Sequence, residues 1–187
     1  MNKYPEYIEV GTKEYKINTS FWAALRCEEI FRDDSICDYE KTLAIIYILL
    51  GEDAMMDFEN QEKIVKILTK YLLCGKMPED IENSDDELSM DFKQDAGRIK
   101  TSFMSDYGID LDSTDMHWYK FHDMLEGLTD DSVLSRVRMI REEPLNGKKG
   151  REREKWEKAK KQVALKHEKT QREKELDDWW ETEMKKR

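Results

Sequence analysis

Turn-forming residues are scarce in this chain: 8 glycines and 3 prolines serve 187 residues. A sandwich or barrel needs frequent tight turns, so this supply excludes most all-β designs. Apolar residues instead recur at i, i+3 and i+4 over several stretches, the spacing of one helical face. The expected fold is therefore mainly α. It is a compact helical domain with a short N-terminal β-hairpin and a long, charged, projecting C-terminal helix.

The hairpin is read from "YIEVGTKEYKI", where Tyr7, Ile8 and Val10 face Tyr15 and Ile17 across a Gly-Thr-Lys-Glu turn. Two strands alone are marginal in water, so the hairpin has to lie against helices. Asn18, Thr19 or Ser20 caps a first helix with Trp22, Leu25, Ile30 and Phe31 on its apolar positions. A second begins at Asp38, turns Leu43, Ile46, Tyr47 and Leu50 inward, and stops at Gly51. A third spans about Phe58 to Leu73, with Ile64, Ile67, Leu68, Tyr71 and Leu72 in register. The acidic segment 77–89 reads as a polar loop.

Helix four is expected from about Met90 to Tyr107, with Phe92, Ile99, Phe103 and Met104 along one side and Gly108 ending it. Asp112 or Ser113 is the expected cap of a fifth helix, Asp115 to Leu125, which carries Trp118, Phe121 and Leu125 on one face, with His122 a further candidate for it. A further helical segment carries Val133, Leu134, Val137 and Ile140, and Pro144, Asn146 and Gly147 break it. These punctuation marks divide the chain into a body, residues 1–147, and a charged helix, residues 148–187.

Charge separates at the same boundary. From Lys148 onward 15 basic and 10 acidic residues give a net +5, leaving 17 basic and 32 acidic residues, a net -15, before it. The acidic body repels phosphates and argues against nucleic acid as a partner. No apolar run is long enough to span a bilayer, so no membrane partner is expected either. Cys27, Cys37 and Cys74 form no CxxC pair, and no signal peptide precedes them, which points to a reducing, cytoplasmic setting.

Catalytic and metal signatures are weak. His117 and His122 are five residues apart, not the four that would place two ligands on one helical face. His122 and Glu126 do share a face, and Asp91 and Asp95 lie on the preceding helix, yet no Glu-x-x-His pair accompanies them. No nucleophile elbow, phosphate loop or zinc-protease motif is present. The expectation is a non-enzymatic protein that uses no metal and no cofactor. Trp156 is one of the few apolar residues of the charged helix, and the adjacent indoles Trp179 and Trp180, costly if left exposed, call for a partner or for burial on the body.

One segment is more distinctive. "DFKQDAGRIKTSFMSDYGIDL", followed by "MHWYKFHDMLEGL" and "RVRMIRE", resembles the Gp15 family of bacteriophage proteins. The strand-to-helix opening "YKINTSFW" resembles the family's start. The likeness covers about residues 5 to 165 and is strongest from Asp91 to Arg141.

The resemblance implies tail morphogenesis. The implied role is a tail assembly chaperone that binds the tape measure protein and keeps it soluble until tail tube subunits polymerise. The tail tube protein is a second candidate partner, and self-association into a homo-oligomer is compatible with the role. The expected location is the host cell cytoplasm. A structural virion component, such as a tail connector or completion protein, is the rival reading. The residues expected to bind protein are Tyr107, His117, Trp118, Phe121, Trp156, Trp179 and Trp180, with Trp22 and Phe103 beside them as packing residues.

Overall fold

The computed structural model describes residues 3–76 and 89–166. Strands β1 (Tyr7–Val10) and β2 (Lys13–Lys16) form the antiparallel hairpin. Val10 pairs with Lys13, so the turn is only Gly11 and Thr12, two residues tighter than expected, and Gly11 holds φ +64° to close it. Among the described residues eight helices follow: α1 (Phe21–Phe31), α2 (Asp38–Leu50), α3 (Glu52–Met55), α4 (Gln61–Leu72), α5 (Ala96–Tyr107), α6 (Trp118–Glu126), α7 (Val133–Glu142) and α8 (Gly150–Val163). The mainly helical expectation is met, and the hairpin packs on α4.

Helix α1 packs on α2 and α6, α2 on α3 and α4, and α5 on α6 and α7. Their shared core is aromatic at its centre. The Phe121 ring stacks on Phe21 at 4.8 Å, on Phe103 at 5.2 Å and on Trp118 at 5.7 Å, all within about 20° of parallel. Three helices, α1, α5 and α6, thus meet at one side chain that is 1% exposed.

Several expected positions shift. Phe21, Ala24 and Cys27 form the buried face of α1, which leaves Trp22 43% exposed and Phe31 in solvent. On α2, Ile46 and Leu49 point inward and Tyr47 points out. The charged C-terminal segment does not project at its start. Helix α8 lies along α7, and at Ala164 the chain turns extended (φ -56°, ψ 138°). The rest of the expected long helix, and most of the acidic loop, lie outside the described residues.

The hairpin is tied to the helices through Asp57, between α3 and α4. Its buried carboxylate accepts from the Tyr15 hydroxyl at 2.6 Å, from Lys13 Nζ at 3.0 Å and from Asn60 Nδ2 at 3.1 Å. These bonds, Tyr15's first, favour the ionised form and hold the Asp57 pKa down at about 2.

Two outcomes follow. Phe121→Ala should cost about 3–5 kcal/mol in urea unfolding, whereas Trp22→Ala on the surface should stay within about 1 kcal/mol. The Asp57 contribution is present above the ordinary carboxylate pKa of about 4 and is lost as pH falls through about 2. Asp57→Asn should therefore lower stability at neutral pH and flatten the acid limb of the stability curve over that window.

Candidate protein-binding site

The His-Trp segment starts helix α6 later than its sequence suggests, at Trp118, because residues before it are used elsewhere. Ser20 and His117 pair as an isolated antiparallel bridge. The Phe21 amide donates to Met116 O at 3.0 Å and the Trp118 amide to Thr19 O at 2.7 Å. Helices α1 and α6 therefore begin side by side, and each bridge residue is the N-cap of its own helix. Ser20 Oγ accepts from the Trp22 amide at 3.2 Å and donates to Asp115 at 2.7 Å.

His117 does the same for α6 with a ring. Its Nδ1 accepts from the Tyr119 amide at 3.0 Å, and its Nε2 donates to Pro5 O at 3.0 Å. A carbonyl can only accept and an amide only donate, so both contacts fit one tautomer, protonated at Nε2. Tyr4 stacks on the imidazole at 5.0 Å and donates to Asp123 at 2.6 Å, closing the N-terminal segment over it. His117 is thus a cap and a clasp. His122 is a surface neighbour of Glu126, 3.6 Å away.

Trp118, Tyr107 and Phe121, also expected to bind, are held by internal contacts. Trp118 is buried and donates its indole N–H to Leu72 O at 3.0 Å, where α4 ends. Tyr107 is half-buried and donates to Met124 O at 2.8 Å. A Cβ at Gly127 would meet the Tyr107 oxygen at 3.2 Å, which leaves only glycine unforced there. Phe121 is the core's hub. Trp156 lies half-buried on α8 with Lys148 Nζ 5.0 Å from its ring centroid. Trp179 and Trp180 lie outside the described residues. Trp118 and Phe121 are unreachable by a partner while the fold is closed.

Exposed apolar side chains occur singly at several places, Trp22, Phe31 and Phe58 among them, but on α2 they form a stripe. Residues Leu43 to Leu50 are apolar without interruption, more than one packed face can use. Ile46 and Leu49 fill the core, while Tyr39 (57% exposed), Leu43 and Tyr47 (56% exposed) follow one another at i, i+4 on the outer side. Periodicity alone assigned Tyr47 inward, because in an unbroken apolar run neighbouring registers look alike. The signal that separates them is the polar tip of Tyr, which prefers a wet end.

The acidic and arginine segments also find each other. Asp95 is fully buried, and Arg141 grips it with two parallel bonds, Nη1 to Oδ2 at 2.7 Å and Nη2 to Oδ1 at 2.9 Å. Arg98 and the Asp91 amide add to the same carboxylate. Burial pushes its pKa up, but Arg141, the amide and Arg98 outweigh burial and hold it below the usual range. Asp91 is likewise held low against its burial, by the Gln94 amide and Arg32. Arg141 also donates to Ser89 O at 2.8 Å and to Val163 O at 2.6 Å. These aspartates are neutralised by arginines, and among the described residues no group of three His, Cys, Asp or Glu is placed to hold a metal. Burial also pushes the thiols of Cys27 and Cys74 up to about 12, away from nucleophilic use near neutral pH.

Removing Arg141 should expose the cost of burying Asp95. Arg141→Met is expected to lose about 3–5 kcal/mol in urea unfolding. Adding Asp95→Asn to that variant should recover part of the loss, since the stranded charge is the main penalty. A double variant less stable than Arg141→Met alone would contradict this account.

The described helices include none long and apolar enough to cross a membrane. No curated protein and no solved structure matches the chain. A family model, described as Bacteriophage Gp15 protein, matches residues 1–165. That span takes in the hairpin, the capped pair of helix starts, the Asp95–Arg141 clasp and the whole of helix α8. The chain belongs to the bacteriophage Gp15 protein family.

Proposed function

We propose that this protein is a non-enzymatic tail assembly chaperone that binds the tape measure protein and keeps it soluble in the host cytoplasm until the tail tube polymerises. Family membership makes it a phage protein of the virion or of its morphogenesis. The observation that carries the finer reading is the outer stripe of α2. A long apolar helix awaiting assembly needs a partner that covers part of its surface, and helix-in-groove recognition uses anchors at i, i+4 spacing. Tyr39, Leu43 and Tyr47 have that spacing and remain outside the core.

The two Tyr side chains suit a contact that is made and later released. Each offers a large ring at low conformational cost and a hydroxyl that tolerates water when the partner leaves. A body of net charge -15 keeps such a complex dispersed. A structural virion component would bind once and stay, so the two readings differ in what becomes of the protein after assembly.

Co-expression with the tape measure protein tests the proposal. The tape measure protein should be soluble in the company of this chain and pelleted without it. Tyr39→Glu with Tyr47→Glu should lower the soluble fraction at least about fivefold, while circular dichroism and thermal unfolding stay near wild type, because both positions are exposed. Solubility unchanged by the chain overturns the chaperone reading. Recovery of the protein from purified virions by mass spectrometry favours the structural component.

A further inference from the structure

Among the described residues, another helix face without partners belongs to α8. Its inner side is accounted for: Trp156 and Val163 are half-buried, Arg141 bonds Val163 O, and Lys160 bonds Arg141 O. Two of its acids are also used, since Glu157 pairs with Arg153 at 2.7 Å and Glu152 lies 3.9 Å from Lys148. What remains outside is Arg151, Lys155, Lys158 and Lys161, all exposed and without an ion-pair partner among the described residues. Successive steps of four, three and three residues place them along one face, over about 15 Å. Glu154 is the single acid among them. Pairing therefore turns a mixed-charge sequence into a basic stripe on an acidic protein.

The complement is on the same chain. Glu9 and Glu14 lie directly opposite each other on the outer face of the hairpin, a like-charge pair that costs stability unless a cation sits between them. They are a non-hydrogen-bonded pair, flanked by the bonded pairs Ile8–Tyr15 and Val10–Lys13, so their side chains are close. The Lys13–Asp57 contact brings this end of the hairpin beside the start of α4, where Glu59 and Glu62 are exposed as well. Lys13 is taken by Asp57 and leaves these acids without it. Helix α8 packs on α7 and the hairpin on α4, so the two surfaces belong to different parts of the fold.

We propose that the basic face of α8 docks a second copy of this chain, on the Glu9–Glu14 face of that copy's hairpin. The contact is electrostatic, exposed and weak, which makes it steeply dependent on salt. It stands apart from the tape measure reading and uses neither Tyr39 nor Tyr47.

Sedimentation velocity of the full chain tests it. At roughly 50 mM salt the mean mass should exceed 22.4 kDa, and it should return to that value at roughly 0.5 M. Lys155→Glu with Lys158→Glu, and separately Glu9→Lys with Glu14→Lys, should each weaken association at least about tenfold. All four positions are exposed, so circular dichroism should not change. A chain carrying all four reversals should associate with itself and not with wild type. A monomer at low salt overturns the proposal. So does association that either charge-reversed pair leaves unchanged, or a fourfold variant that fails to recover it.

Discussion

The buried carboxylate of Asp95 imposes the strongest single demand on this fold. An isolated charge in the interior costs several kcal/mol, so donors must converge on it before the surrounding helices can close. They come from three directions: Arg141 on α7, Arg98 one turn along α5, and the Asp91 amide ahead of it. Arg141 has five N–H donors in a rigid fork, and those left over from Asp95 reach Ser89 O and Val163 O. One guanidinium thereby fixes α5, α7, the chain entering α5 and the end of α8 relative to one another. Asp91 extends the network to α1 through Arg32. The same bonds explain why α5 starts at Ala96 and not near Met90. Asp side chains there bind local amides, the Gln94 amide among them, and a turn forms where the helix would have begun.

The bridge between Ser20 and His117 plays the corresponding part at the other end of the core. Helix starts carry unpaired amides, and two of them side by side would double that cost without caps. Here each start is capped by the bridge residue of its own strand. The bridge in turn sets the spacing at which Phe21 and Phe121 stack. A serine could cap α6 as well as His117 does. It could not also reach Pro5 O or offer a face to Tyr4, and those contacts hold the residues ahead of the hairpin in place. The ring does three jobs in one position, and both of its nitrogens are engaged inside the fold.

The helices with one apolar stripe were legible from spacing alone. Ile64, Leu68 and Tyr71 on α4, and Trp118, Phe121 and Leu125 on α6, are buried as their period requires. The hairpin and the glycine stops at Gly51 and Gly108 were legible too, since each needs a positive φ that few other residues adopt. Helix α1 was misread because two alanines and a cysteine line its inner face, and small residues give a weak signal beside Trp22 and Phe31. They lie inside because α2 and α6 pack closely there. Helix α2 was misread for the opposite reason, an excess of apolar residues. The central ion pair could not be read at all, because Asp95 and Arg141 are 46 positions apart and nothing local marks them as partners.

The candidate site follows the same logic. The stretch from Tyr107 to Leu125 is the most distinctive in the chain, dense in aromatics, histidines and aspartates. Its side chains are distinctive because each meets several constraints at once within the fold. Trp118 is spent on Phe121 and Leu72, Tyr107 on Met124, and His117 on Tyr119, Pro5 and Tyr4. Substituting any of them in a binding assay would perturb the fold as well as any contact. Contact residues have to be sought where side chains are exposed and internally unbonded. Among the described residues the outer turns of α2 and α8 offer such side chains, and their sequences, an apolar run and a mixed-charge run, look ordinary until packing and pairing have removed the residues that the fold itself consumes.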